Sequence, residues 1–372
     1  MQLINLICRL LVGSLFIFSG LIKLNDPYGT AYKLEEYFEV FTSDLSPFFL
    51  ELIPFSLFLS VIISAFEVIL GVAILLYYKM KISTWVALLL ILFFTFLTFY
   101  SYAFDKVKEC GCFGTMIPLS PKQSFMKDLF LLILILVLFI NRKKGNAGYN
   151  NLKGHLLMGF VTLFAFLIGL NSVHSLPYVD PTPYRVGNDL TILTKAKEKP
   201  RYQWIMEREG KEYAFDNEHY PSDTSYKYKR HILLTDSSLL IPEISSFRIY
   251  NEDEDFTDES LKGKKIFIII ANVADAWKNC QHECFEKINN TVQHLEEQGY
   301  TPMILTVPAG SSFEEFRHEM QIRGDYYYAD DTMLKTMIRS NPGIVILNKG
   351  VIVAKWHYNG IPDKERINEV IN

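Results

Sequence analysis

The chain has 372 residues, of which 49% are hydrophobic and 21% charged, with a net charge of −4 at pH 7. That mixture is too apolar for one soluble domain and too charged for a purely membrane-embedded one, so it predicts a membrane half joined to a water-soluble half. The slightly negative balance argues against a nucleic-acid partner, which needs a basic face.

Five cysteines are present. Cys8 lies alone in an apolar run and reads as a buried, inert thiol. The other four form two close pairs, Cys110 with Cys112 and Cys280 with Cys284, one in each half. Such pairing points to redox or metal chemistry more than to a disulfide scaffold.

In chain order, Leu3 to Leu24 is apolar over roughly the 20 residues a spanning helix needs. A signal peptide is the rival reading. The length of the run, the absence of a small-x-small cleavage site and the spans that follow speak against it. Arg9 inside this span has to snorkel to the interface or find a partner. From Asn25 to Pro47 a loop with Asp26, Pro27 and Gly29 is followed by Tyr32, Leu34, Tyr37 and Phe38, whose spacing predicts a short amphipathic helix at the interface. A second span, Leu57 to Tyr78, contains Glu67, a carboxylate that must face the bundle interior, with Arg9 as its candidate partner. Further spans are expected at Ile82 to Ala103, at Leu129 to Ile140 extended backwards through Ser124 to Asp128, and at Leu156 to Leu176.

Between the third and fourth spans stands Cys110-Gly-Cys-Phe-Gly114. It puts two thiols at the edge of the bilayer, able to hold a disulfide, act as a dithiol or bind a soft metal such as Cu(I) or Zn(II). Gly111 and Gly114 supply the permissive backbone that a strained ring between near neighbours requires.

Lys79 and Lys81 occupy one very short connection, and Arg142, Lys143, Lys144 and Lys153 crowd another. The positive-inside rule makes both cytoplasmic. The N-terminus is then inside, while the Cys110 loop and everything after Leu176 are outside the cytoplasmic membrane. Both cysteine pairs share the oxidising compartment, where thiol–disulfide chemistry persists.

Arg9, the run Phe16-Ile-Phe-Ser-Gly20-Leu-Ile-Lys23-Leu with Asp26-Pro27, Glu67 before Gly71, and Cys110-Gly-Cys-Phe-Gly114 followed by Lys127-Asp128 resemble the DoxX superfamily, and within it the methylamine-utilisation MauE branch. The resemblance covers about residues 1–145. It implies a four-helix membrane bundle and a role in disulfide formation or maturation of a cell-envelope client protein. The fifth span, within 146–176, and the large following domain depart from a minimal MauE-like protein, so methylamine metabolism does not carry over as the process served. For the electrons, a quinone or another acceptor near Arg9 and Glu67 is the expectation, with no motif behind it.

Residues 177–263 are rich in Tyr, Pro and Asp, with alternating stretches at 202–207 and 226–234. They predict a connecting region of short strands and turns. His219 and His231 read as surface or packed side chains rather than ligands. Residues 264–372 carry an α/β rhythm: a buried strand at Lys265 to Ala271, a helix from Cys284 to Gln298 closed by Gly299, a strand at Thr301 to Val307, a helix at Ser312 to Gln321, a short strand at Tyr326 to Ala329, a helix at Thr332 to Arg339, and two strands turning at Asn348-Lys349-Gly350. This order resembles a membrane-tethered thioredoxin-like domain. The resemblance implies that Pro342 is the fold's cis-proline beside the active site.

That family would put Cys-x-x-Cys after the first strand, and this chain has Cys280-Gln-His-Glu-Cys284, one residue longer. Both cysteines would share one face of a helix, with Cys280 the nucleophile at its N-terminus and Cys284 the resolving thiol. The longer spacing also resembles thioredoxin-like copper chaperones of the Sco type, for which His357, then His282, is the candidate third ligand. Three functions compete: disulfide exchange between the two pairs, Cu(I) delivery by four soft ligands, and a thioredoxin-like module that only docks a partner.

Overall fold

The computed structural model describes residues 2–107, 114, 116–117, 119–142, 149, 151–308 and 311–371. Cys110 and Cys112 lie outside these residues. The chain divides into two compact units, Met1–Thr182 and Pro183–Asn372.

The first unit is helical. It comprises α1 (Gln2–Asn25), α2 (Pro27–Asp44), a 3-10 helix (Pro47–Phe55), α3 (Ser56–Leu75), α4 (Met80–Phe104), α5 (Pro121–Asn141) and α6 (Leu152–His174). Five of its helical segments are long and apolar enough to cross a bilayer, making this a multi-pass membrane protein. The expected short interfacial helix is instead eighteen residues long and starts directly after α1. Asp26 caps it by accepting from Gly29 N, and Pro27 fills its first position, where a missing N–H costs nothing. α2 buries Thr30, Tyr37 and Phe41 rather than lying on a surface by one face alone. At α5, Ser120 and Gln123 form a capping box, each side chain bonding the other's backbone N–H.

Antiparallel α1 and α3 make the closest helix pair, and glycine is the reason. A Cβ on Gly20 would come within 2.7 Å of Ser64 O, and one on Gly71 within 2.6 Å of Gly13 O. Small residues are how membrane helices bring their backbones together when lipid gives no hydrophobic drive. The fifth span packs in the same unit, with Ala165 of α6 in a buried cluster with Leu24, Ala65 and Val68.

The second unit holds two sheets. β1 (Tyr202–Arg208), β2 (Lys211–Phe215) and β3 (Lys227–Leu233) form a three-stranded antiparallel sheet in the order β2-β1-β3. The larger sheet contains β4 (Ile249–Tyr250), β5 (Lys264–Ile270), β6 (Thr301–Thr306), β7 (Asp325–Ala329), β8 (Gly343–Asn348) and β9 (Val351–His357), ordered β9-β8-β5-β6-β7-β4. β5 is parallel to β6 and antiparallel to β8, with Ile268 opposite both Ile304 and Ile344. Between the strands lie α7 (Val273–Asn279), α8 (His282–Glu296), α9 (Ser311–Glu319) and α10 (Asp331–Met337), and α11 (Lys364–Ile371) closes the unit. A central strand followed by a cysteine-bearing helical segment, a parallel neighbour and a terminal antiparallel hairpin is a thioredoxin-like arrangement. The hairpin turns where the sequence predicts, because Lys349 (φ 50°) and Gly350 (φ 81°) both take the left-handed backbone that a two-residue turn needs.

Candidate functional site

β5 is apolar on both faces, and Ile266 to Ile270 are wholly buried, so the strand delivers the chain rigidly to its C-terminal edge. There Asn272 caps α7 by accepting from Asp275 N. The helix runs only to Asn279. Cys280 leaves it with extended backbone (φ −135°, ψ 108°), its N–H donating to Ala276 O, and Gln281 is extended as well. α8 then starts afresh at His282. The expected single helical face is therefore corrected: Cys280 ends one helix, Cys284 sits in the first turn of the next, and a disulfide joins them across the break at a Cα separation of 5.3 Å. That separation lies within the range a disulfide spans.

Cys280 is 0% exposed, in the same buried cluster as Phe285 and Phe316, while Cys284 is half-buried and packs on that cluster from outside. Trp277 stands 41% exposed with its ring 5.5 Å from that of Phe316. The segment before the hairpin is fastened to α7 at both ends. Asn341 Nδ2 donates to Asn272 O at 2.7 Å, and Asn279 Nδ2 donates to Asn341 O at 3.1 Å. The bond Asn341–Pro342 is cis. Ser340 Oγ ties this segment to the strand behind it, donating to Pro342 O and accepting from Tyr358 N. The helix that ends at the disulfide thus carries one open aromatic, Trp277, and holds the backbone loop at Asn341.

The two candidate histidines stand apart in their contacts. His282 is exposed, with Nε2 3.9 Å from Glu319 Oε1. His357 is buried at the end of β9, where Nδ1 accepts from Asn359 N at 3.1 Å and the ring lies 4.3 Å from Tyr358. Among the described residues, no three His, Cys, Asp or Glu side chains group as a metal site.

In the membrane unit Glu67 does face the interior, but its partner is not Arg9. Lys23 Nζ donates to Glu67 Oε1 at 2.6 Å and Ser19 Oγ to Oε2 at 2.8 Å, with all but a few per cent of both charged side chains buried. Lys23 also lies 4.8 Å over the Phe94 ring, an attraction between cation and aromatic face. Arg9 is fourteen positions earlier on α1, about 21 Å at the α-helical rise, and its guanidinium lies 5.5 Å over Tyr77 near the other end of α3. The antiparallel register, set by the glycine contacts, decides this pairing. A second polar group joins from α5: Asp128 accepts from Thr98 Oγ1 at 3.0 Å and lies 2.7 Å from Lys127 Nζ. Ser19, Lys23, Glu67, Phe94, Thr98 and Asp128 border a cavity of about 70 Å³. Buried ionisable groups in a membrane bundle are costly, which makes this cluster a candidate functional locus.

Residues 1–141 match the family model described as Methylamine utilisation protein MauE. The membrane unit is MauE-like. Over 152 residues the chain is 32% identical to Protein TlpB of Flavobacterium psychrophilum, a match covering 38% of this chain and 38% of that relative. The chain therefore spans well under half the length of this curated relative. No solved structure matches.

Within the MauE-like unit, Lys23 and Asp128 are the residues whose contacts sequence reasoning missed. Both stand in the motif run that carries the resemblance, and the available signal was a charge inside an apolar segment, the same signal that singled out Glu67. Val107 and Gly114 bracket the Cys110–Cys112 stretch. Val107 is buried with Tyr37 and Leu97, and the Cα of Gly114 lies close enough that an added Cβ would meet Ile22 at 3.5 Å.

Proposed function

We propose that the protein is a membrane-bound thiol–disulfide exchange protein that serves disulfide formation or maturation of a cell-envelope client, with its soluble unit on the extracytoplasmic side. The observation that carries this reading is the Cys280–Cys284 disulfide, bridging a helix break beside exposed Trp277 and the held Asn341 loop. A disulfide between residues four apart closes a very small loop, so it removes little unfolded-chain entropy and makes a poor structural staple. Exchange chemistry is the better use of it.

The balance is simple. A client dithiol gives two electrons to the Cys280–Cys284 disulfide, the client leaves with a new disulfide, and the pair becomes a dithiol. Cys110 and Cys112 are the second pair in this relay, taking those electrons on by the same exchange. A quinone-class acceptor in the lipid phase would gain two electrons and two protons to leave as quinol. We propose its site at the cavity bordered by Lys23, Glu67 and Asp128, the buried ionisable cluster of the membrane unit. The client is defined by its cysteine pair alone, and methylamine utilisation enters only as the description of the matched family.

Equilibration of the purified full chain with graded mixtures of reduced and oxidised glutathione tests this. A single two-electron transition of the Cys280–Cys284 pair within the range spanned by thiol–disulfide oxidoreductases, about −270 to −120 mV, is the expected result. A pair that stays oxidised at every ratio would be structural and would contradict the proposal.

A further inference from the structure

The two sulfurs of this pair differ in access and in electrostatic setting. Cys280 is wholly buried and ends α7, where unsatisfied backbone carbonyls disfavour a negative charge. Cys284 is half-buried and is the third residue of the fifteen-residue helix α8, where free N–H groups favour a thiolate. Its flank toward solvent is formed by Gln281, His282 and Glu283, all exposed, while its inner side rests on the cluster that encloses Cys280.

We infer that Cys284 is the sulfur that bonds to the client, and that Cys280 is the internal thiol released as the mixed disulfide forms. This rests on the exchange reading above and reverses the roles expected from the order of the cysteines in the chain. The reversal follows from the fifth residue of the motif. With one residue more than Cys-x-x-Cys, the helix restarts at His282, so the first cysteine is left behind in the core and the second takes the helix N-terminal position.

The exchange then runs as follows. A client thiolate attacks Sγ of Cys284, the client-to-Cys284 bond forms as the Cys280–Cys284 bond breaks, and Cys280 leaves with the electron pair and takes up a proton. The second client thiolate attacks the client sulfur of the mixed disulfide and expels Cys284 as thiolate. The client is oxidised and the pair reduced by two electrons. Attack on Cys280 would spare that residue from leaving into an apolar core, yet the nucleophile has no open path to it, and access selects the sulfur attacked.

The test uses the full chain in detergent with Cys110 and Cys112 replaced by Ser, comparing C280S and C284S. Each variant is reacted with an impermeant maleimide and, separately, with oxidised glutathione. C280S should label about tenfold faster or more, the scale on which burial and setting separate cysteine reactivities, and should accumulate a stable glutathione adduct that C284S does not form. A C284S variant that labels as fast, or that alone holds glutathione, would overturn the assignment while leaving the exchange reading intact. Failure of both variants to form an adduct, with an oxidised pair inert to dithiols, would overturn both. Because either serine could disturb folding, the unsubstituted chain is also reduced, treated with less than one equivalent of maleimide and mapped by peptide mass spectrometry. Label on Cys284 supports the assignment, and label on Cys280 contradicts it.

Discussion

The two units arrange their apolar and polar side chains in opposite ways. The membrane unit leaves Leu10, Phe18, Phe93, Phe160 and Leu163 bare on its outside and buries Ser60, Ser64, Glu67, Thr98 and Asp128 within. The soluble unit buries Ile266 to Ile270 and turns its charges outward, as in the Lys229 bridges to Glu207 and Glu212 on the three-stranded sheet. What differs is the solvent. Lipid accepts an apolar outer face without penalty, so polar side chains converge on one another, whereas water drives the aliphatic strands together.

The contrast is broken most forcefully at the buried ion pair. Glu67→Ala leaves Lys23 buried without its carboxylate and should cost about 3–5 kcal/mol, read as a fall in the unfolding midpoint of the detergent-solubilised chain. The double change Lys23→Met with Glu67→Leu should recover much of that, because apolar replacement of a buried pair is often neutral. Equal losses in single and double variants would show that the pair contributes by packing rather than charge. In the soluble unit, Ile268→Ala should cost about 2–5 kcal/mol through cavity formation, while Phe160→Ala on the bare face of α6 should stay within about 0.5 kcal/mol, the scale of surface changes. Similar losses at the two positions would mean that the outer face of α6 is covered by protein.

The smallest effect concerns an exposed pair. The Asp216 carboxylate, hydrogen-bonded to the His219 imidazole and close to it in charge, raises the His219 pKa above the ordinary histidine value. A raised folded value contributes stability that is fully present below the unfolded pKa and fades as pH rises through the folded one. The side chains are exposed, so the effect belongs in an NMR titration rather than in a melt. The His219 midpoint should fall back toward the free value in Asp216→Asn, and an unmoved midpoint would refute the pairing.

The spans and the α/β rhythm were legible because each is written in consecutive residues: long apolar runs, a five-residue buried strand core at 266–270, and the Asn348-Lys349-Gly350 turn. The partner of Glu67 was not, since pairing across antiparallel helices depends on a register that Gly13, Gly20 and Gly71 set through contacts no single segment displays. The break between α7 and α8 was also hidden. Neither Gly nor Pro marks it, and a four-residue cysteine spacing suits a continuous helical face as well as it suits two helices. His282 and His357 were attractive ligands in one dimension and have separate contacts in three, with Glu319 and with Asn359 and Tyr358.

The most direct test of the central claim is thiol trapping in intact membranes. Membranes carrying wild type, Cys110→Ser or Cys280→Ser are labelled with a membrane-impermeant maleimide before and after reduction and run on non-reducing gels. The account predicts that Cys284 becomes labelled from outside only after reduction, and that Cys280→Ser carries a client in a mixed disulfide released by reductant. Thiols that are always free, or a Cys280→Ser variant without any trapped partner, would contradict it.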